Sequence, residues 1–568
     1  MHTRSVLVSF PGYPYDLATL LPNHRLAAVA GHLLEAGHAT QIRDYGTVQT
    51  LERLFPHQLR PATQTLADGL FGGIPASSLT ALTAVWRMRG MGREVRARQD
   101  ALAREVADEI AATKGIDFVV FTIEHAEDLK STLAAAKRLR AAAPAVRTAA
   151  VGGFVERYGA VLAGMSAVFD CLCLGDPGRS VVQWAERLDR RETWGDVPNL
   201  VFVDGQSVHR RSERDYDSDI NLVPPPAYDA AAYPALAGHA KFRVFGVECG
   251  LGCDRGCPAC PESHANGPRP RAKSPRTVCD EMARLVREHG TRAFCLLGSV
   301  SPAVAYEILS RGLDVRYTQG LRLDEAEPAL FATLRAAGAE AVSFNVETGS
   351  QWLLDEYYMK RHNITTTERV LRACRLSDLF VAARFTYPCP ADDYHTRAET
   401  LRLIERTRPN AALIELPEVI PGSPWCARPD EFGFDADIEA FLRRAALGRE
   451  RSSLPLREWT ALTPCLGSQY RVGTRSLSQA ARDNELLTRE VEALGVSTVL
   501  TPEAALVARI SGYEGNEQDF CSLLRRQFFT GAAAAIAAAA ERFNERAAGP
   551  AHNIGLGVAG PLLAAVGN

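Results

Sequence analysis

Four of the chain's thirteen cysteines fall within twelve residues, at Cys249, Cys253, Cys257 and Cys260. In Cys253-Asp-Arg-Gly-Cys257-Pro-Ala-Cys260 the thiols stand four and three residues apart, on one loop just after the strand-like run 242–247. Three thiolates so spaced can take three corners of an iron–sulfur cube and leave the fourth iron open. Zinc is the competing reading; it asks for a fourth nitrogen or sulfur, which Cys249 or His264 can supply. A purely structural cysteine cluster is the third. The remaining nine cysteines lie scattered among apolar neighbours and read as small buried hydrophobes, not as a disulfide framework.

Downstream, strand-like and helix-like runs alternate, with strands at 293–297, 315–319, 341–346, 380–387 and 411–418 and helices at 277–289, 327–337 and 366–378. Repeated units of this length predict a barrel or partial barrel, whose chemistry sits at the carboxyl ends of its strands. Those ends carry Gly298 and Ser299, Tyr317 and Arg322, and Glu347 and Thr348, with Arg384 inside the next strand. Arg384 calls for a carboxylate partner, because a buried guanidinium needs one. For Thr348 a plainer reading competes, in which Thr348 or Ser350 caps a helix and Glu347 favours its dipole.

Residues 4–190 alternate in the same way, with strands at 5–10, 39–42, 117–122, 148–151 and 168–174, which predicts a doubly wound parallel sheet of the Rossmann-like kind. Ligands of such α/β sheets bind outside the carboxyl ends of the strands. Here those ends are Pro11-Gly12, Thr122, Gly152-Gly153 and Gly175-Asp176. An insertion at about 48–114 overhangs that face; Arg60, Arg87 and Arg89 are its polar candidates beneath a ligand, against a plain solvated helical cover. The reading divides the chain into this α/β domain at 1–195, a linker at 196–235 with a small hairpin and three successive prolines, a partial (β/α) barrel at 236–447 and a helical domain at 448–568. The helical block either closes the barrel's open face or serves packing and self-association.

A formal net charge of −3 gives no broad electrostatic footprint for nucleic acid or anionic membrane. No apolar run reaches the ~18–20 residues of a membrane helix, and the first residues run straight into a strand with no signal-peptide pattern, so a cytoplasmic location is expected.

The cysteine triad resembles the signature of the radical S-adenosylmethionine superfamily, with Ala259 where that family often has an aromatic. The run FNVETGSQWLLDEYYMKRHN resembles its Gly-x-Glu-[Thr/Ser]-Gly-Ser stretch, with Asn345 in place of the glycine. The succession FPGYP, RLAAVAGHLLEAGH, RDYG, VVFT, AVGGF and FDCLCLGDPGRSVVQWAERL is similar to the cobalamin domain of one class of these enzymes, with Asp176 where the class has glutamate. The resemblance covers residues 5–430 and is to the cobalamin-dependent radical S-adenosylmethionine methyltransferases of class B.

It implies a [4Fe–4S] cluster on Cys253, Cys257 and Cys260, with S-adenosylmethionine at the open iron and Gly298, Ser299, Glu347, Thr348 and Arg384 around it. It implies cobalamin on Pro11, Gly12, Thr122, Gly152, Gly153, Gly175 and Asp176. The Asp-x-His-x-x-Gly loop by which other cobalamin proteins supply a lower axial histidine is absent (the chain reads DYGTV from Asp44), so the resemblance implies cobalamin without a histidine on cobalt. An aliphatic acceptor carbon needs a 5′-deoxyadenosyl radical. An electron-rich aromatic carbon such as indole C2 can take the methyl group directly while a base (Tyr317, Glu281 or Glu415) removes the ring proton; Arg322, at the same strand end as Tyr317, faces either substrate or cosubstrate. Length and the helical C-terminal block are most similar to the tryptophan 2-C-methyltransferases of thiopeptide antibiotic biosynthesis. L-tryptophan is therefore the expected small-molecule acceptor, with an electron donor as partner. The alternatives are a radical methylase of an sp3 carbon in another secondary metabolite and a non-catalytic cobalamin or iron–sulfur sensor.

Overall fold

A computed structural model describes residues 3–55, 64, 67, 78–165, 167–204, 208–211, 215, 216, 219–446 and 470–550. Two parallel sheets organise it. The first has the order β2-β1-β3-β4-β5-β6-β7. Its parallel strands are β1 (Arg4–Ser9), β2 (Ala39–Asp44), β3 (Phe118–Thr122), β4 (Arg147–Val151) and β5 (Cys171–Cys173). Strands buried on both faces read as unbroken apolar runs, as in FVVFT of β3. Helices α1 (His24–Glu35), α2 (Val48–Leu54), α3 (Ser78–Ala112), α4 (Ala126–Ala142), α5 (Gly153–Met165) and α6 (Pro177–Arg190) cover the sheet. Strands β6 (Leu200–Asp204) and β7 (Val208–Arg211) extend it antiparallel beyond β5. The hairpin expected in the linker is thus part of the first sheet, because Val201 and Leu200 find backbone partners in Leu172 and Cys173.

The second sheet has six parallel strands in the order β15-β14-β13-β12-β11-β8. They are β8 (Phe245–Glu248), β11 (Ala293–Leu297), β12 (Arg316–Leu321), β13 (Ala339–Glu347), β14 (Phe380–Thr386) and β15 (Ala411–Glu415). Between β8 and β11 a short antiparallel pair, β9 (Gly250–Leu251) and β10 (Arg271–Ala272), carries the cysteine loop. Side chains alternate in and out along each strand. Val342, Phe344, Val381, Ala383 and Phe385 face an outer layer of helices that includes α7 (Pro275–His289), α8 (Ala303–Ser310), α9 (Pro328–Ala336), α10 (Ile364–Leu376) and α11 (Tyr394–Thr407). The opposite face is concave and its edge strands β8 and β15 do not meet: the barrel is open.

At the amino ends of the strands that inner face carries Ala293, Ala341, Ala382 and Ala411, small enough for a helix to enter. The helix at Pro502–Ile510 occupies the space and packs on β12, β13 and β14. Its Arg509 is buried, donates to Glu517 at 2.8 Å and the Asp378 carbonyl at 3.0 Å, and lies 3.4 Å from Glu340. The helix at Leu477–Ala493 lies along the β15 edge, where Asn484 donates to the Tyr387 carbonyl at 2.6 Å. Among the described residues, the C-terminal helices therefore floor the barrel and flank its edge. Among the described residues no helix is long and apolar enough to cross a membrane.

Both edges of the open barrel touch the first domain. At β8 the His24 ring lies against Gly246, where a β-carbon would come within 2.8 Å of it. Beyond β15, Glu418 accepts from Tyr158 and lies 3.3 Å from Arg157, both on α5. The carboxyl end of the first sheet thus spans the barrel's gap.

Candidate cofactor site at the strand ends

The cysteine loop is built by close backbone approaches. Gly298, at φ +77°, would place a β-carbon 1.8 Å from the Gly250 carbonyl oxygen, and Gly252, at φ +80°, would strike the Arg269 carbonyl at 2.6 Å. Only glycine fits either place. Glu262 accepts from the Gly252 N–H at 3.2 Å, Ser263 donates to the Cys253 carbonyl at 2.7 Å, and Trp425 N–H donates to the Pro258 carbonyl at 3.1 Å. Cys253 and Cys257 are half-buried and Cys260 is exposed, all three as free thiols at the carboxyl end of the open barrel. Ala259 packs against an aromatic group that includes Tyr357, Trp425 and Phe432, so the ring missing at this position is supplied from other segments.

Cations approach the loop from two sides. Arg322 Nη1 lies 3.8 Å from Cys253 Sγ, and its guanidinium is held by Asp324 at 3.3 Å. Lys360 Nζ lies 2.8 Å from Glu347 Oε1. Burial works to lower the Lys360 pKa, but Glu347 and then Cys257 and Cys260 outweigh it, and the ammonium is held above its usual range. Glu347 has φ +71° and also accepts from Thr386 at 3.0 Å. Arg384 meets its expected carboxylate in Glu415 at 3.0 Å, both half-open to the concave face beside exposed Asn345.

Other residues named from the sequence are placed elsewhere. Thr348 is buried against Thr400 (3.2 Å) and accepts from the Ser350 N–H, a loop-fastening role in keeping with the plainer reading. Gly298 and exposed Ser299 lie at the base of the cysteine loop. Tyr317 is not at the mouth. Its strand is covered on both faces, and its side chain points to the outer helices, sealed beside Cys249 and Cys279 with its hydroxyl unpaired. Glu281, on α7, is buried 2.8 Å from Lys273 and likewise faces no open space. Cys249 is buried with Sγ 3.5 Å from the Val247 carbonyl, and burial raises its thiol pKa strongly, so it is a core residue. His264 has its ring against Gly422. Among the described residues no three His, Cys, Asp or Glu side chains converge as the ligands of one metal ion.

The first sheet brings its named positions to one end. Gly152, at φ +125°, would drive a β-carbon to 2.2 Å from the Ile123 carbonyl, so the loops after β3 and β4 lie backbone on backbone. Glu124, unnoticed in the sequence, is their hub. It accepts from Thr122 at 3.0 Å, the Gly153 N–H at 2.8 Å and Arg25 at 3.3 Å. Burial works to raise its pKa, but Arg25 and the Gly153 N–H prevail and hold the carboxylate ionised. The Gly175 N–H donates to Glu156, and Asp176 caps α6 through the Gly178 N–H at 3.2 Å, with its second oxygen buried and unpaired. Gly12 lies tight on the start of α4, and the Pro11 carbonyl accepts from Gln99 of α3 at 2.6 Å, so the insertion does overhang this end. Arg60 and the side chains of Arg87 and Arg89 lie outside the described residues.

Across the seam from Arg25 and Asp176 stands Glu248, the last residue of β8. Burial, then Asp176, pushes its carboxyl up to about 7. Charged residues directly after strand-like runs were the available signal for Glu124 and Glu248. The donor types fit the two expected cofactors: three free thiols on one loop, not converging on a single ion and with Arg322 beside Cys253, suit a cluster that takes one thiolate per iron, and a face of backbone loops, an orphaned carboxylate oxygen and buried charges suits a large amide-rich ring.

No protein-family model matches the chain. An anaerobic magnesium-protoporphyrin IX monomethyl ester cyclase from Cereibacter sphaeroides is 24% identical over 237 residues, which are 39% of this chain and 38% of that protein, so the match spans well under half of either. The radical S-adenosylmethionine methyltransferase TsrM from Kitasatospora setae, solved with cobalamin and a [4Fe–4S] cluster, superimposes with a TM-score of 0.60 at 14% identity, covering 94% of this chain and all of the other. TsrM has also been solved with tryptophan substrate and a S-adenosylmethionine analogue, with a TM-score of 0.57 at 14% identity over 91% of this chain and 100% of that one. OxsB, a cobalamin-dependent S-adenosylmethionine radical enzyme with aqua-cobalamin bound, gives 0.51 at 12% identity over 86% of this chain and 62% of that one. The chain has the fold of the cobalamin-dependent radical S-adenosylmethionine enzymes. It shares the architecture of the methyltransferase TsrM along nearly its whole length.

Proposed function

We propose that the protein is a C-methyltransferase that uses a [4Fe–4S] cluster, cobalamin and S-adenosylmethionine to methylate a carbon of a small molecule. The observation that carries this is the meeting of two strand-end faces: three free thiols on one loop at the mouth of an open barrel whose gap is spanned by the carboxyl end of a doubly wound sheet. When bound, cobalamin supplies a methyl carrier and the cluster an open iron for S-adenosylmethionine. The chain's own work is to hold and orient, which is a large part of such catalysis.

Cys253, Cys257 and Cys260 hold the cluster. Glu347 and the Arg384–Glu415 pair offer S-adenosylmethionine a carboxylate and a matched pair of charges for its amino-acid group. The loops after β1, β3, β4 and β5, with Asp176 and Glu124, seat cobalamin, without a histidine to cobalt. The acceptor assigned is C2 of L-tryptophan, supported by the whole-length likeness to TsrM, and an electron donor acts as partner.

Anaerobically purified protein is tested for iron, sulfide and cobalamin, then incubated with S-adenosylmethionine and tryptophan, peptide or sugar acceptors and read by mass spectrometry. A one-methyl mass gain on tryptophan without 5′-deoxyadenosine supports the assignment. Deoxyadenosine formed in step with methylation of another acceptor replaces it with the sp3 reading. Colourless protein without iron or cobalamin sinks both.

A further inference from the structure

Two cations stand beside the cysteine loop without belonging to it. Arg322, just past β12, directs Nη1 at Cys253 Sγ over 3.8 Å. The rest of its guanidinium is fixed by Asp324 at 3.3 Å and Glu325 at 3.3 Å. Lys360, in the turn beyond β13, is fixed by Glu347 at 2.8 Å, and the nearby thiols of Cys257 and Cys260 join Glu347 in favouring its charged form. The loop's own cation does not compete: Arg255 is turned to Glu325 at 2.8 Å and Asp324 at 3.2 Å. Cys253 thus has a cation at its sulfur, and a second cation stands at another strand end on the side of Cys257 and Cys260, each held by a carboxylate.

Adding an electron to a thiolate-bound cluster adds a negative charge in half-buried surroundings. A donor or cation fixed at the sulfurs stabilises the reduced state more than the oxidised one, so it raises the reduction potential. We propose, resting on the function assigned above, that Arg322 and Lys360 are positioning residues that set the potential of the cluster held by Cys253, Cys257 and Cys260. The carboxylates offset part of the added charge, so the effect depends on where the donors point as well as on net charge. Arg322 is thereby given a role at the cluster, not at the acceptor.

The test is a dithionite titration of the anaerobically reconstituted full chain, followed by electron paramagnetic resonance, with iron and sulfide counted in every sample. Arg322→Met and Lys360→Met are expected to keep the full iron complement and to shift the midpoint to more negative values, while Arg322→Lys and Lys360→Arg stay nearer the wild type. A Met variant that carries the full cluster at the wild-type midpoint overturns the assignment of that residue. Where a Met variant loses the cluster, Arg322→Gln or Lys360→Gln is titrated in its place, and a wild-type midpoint there overturns the assignment equally. A wild-type protein that holds no iron–sulfur cluster sinks the proposed function itself, a result distinct from either.

Discussion

Lys241 Nζ lies 2.8 Å from Asp44 Oδ2, and both side chains are almost fully shielded from water. Tyr233 also donates to this carboxylate, and Lys241 donates to the carbonyls of Gly46 and, at 3.3 Å, Thr19. The pair ties the end of β2 to the segment that leads into β8. Removing one member leaves a buried charge unpaired, so Lys241→Met is expected to cost about 3–5 kcal/mol of stability. Asp44→Asn combined with Lys241→Met should cost less than the single change. Urea denaturation of the three proteins decides it, and a loss below about 1 kcal/mol in the single variant would show the pair to be dispensable.

Cys249 and the triad should separate cleanly. Alanine at Cys253, Cys257 or Cys260 is expected to abolish or strongly deplete bound iron. Cys249→Ala should retain it, at a stability cost of roughly 1 kcal/mol for a buried truncation. Iron and sulfide per chain, measured anaerobically, read the difference; iron loss on Cys249→Ala would make it a ligand.

Glu248 should make stability depend on pH. Its folded-state carboxyl titrates near 7 through burial and then Asp176, with Lys273 and Arg25 opposing and Glu281 adding to the rise. The folded state therefore binds more protons than the unfolded chain between the ordinary carboxylate range and pH 7. This contribution is full at low pH and is lost as pH rises through about 7. Glu248→Gln removes the penalty and should raise the melting temperature at pH 8, by an amount equivalent to roughly 1–3 kcal/mol, with no gain near pH 4. Equal gains at both pH values would locate the effect in packing instead.

Gly298→Ala should be among the most damaging small substitutions near the mouth. Left-handed strain alone costs about 1–3 kcal/mol, and the new β-carbon overlaps the Gly250 carbonyl. Displacing β9 moves the cysteine loop, so iron retention should fall along with melting temperature. Full iron content in a folded Gly298→Ala protein would contradict the tight join.

Arg384→Met is expected to raise KM for S-adenosylmethionine about tenfold or more, corresponding to ~1.4 kcal/mol, with iron and cobalamin content unchanged. Steady-state kinetics at saturating acceptor measures it, and an unaltered KM would remove Arg384 from that role.

The strands were readable because buried parallel strands are continuous apolar runs: 293–297 was expected and Ala293–Leu297 is found. The same property hid orientation. Tyr317 lies on a strand covered on both sides, so nothing local says whether its ring faces the mouth or the helices. The helix at Pro502–Ile510 lies in the block read as helical, but its place under the barrel depends on alanines more than ninety residues away in sequence. Glu124 and Arg25 meet within the first domain across 99 residues of chain, and Glu248 meets Asp176 only because two domains are apposed; no short motif records either. The cysteine spacing was legible for the opposite reason: one loop contains all of it.

The helix seated beneath β12, β13 and β14 makes the interior a cul-de-sac. On the function proposed above, methyl donor and acceptor would then both come in over the rim between the two sheets, from the side opposite this helix.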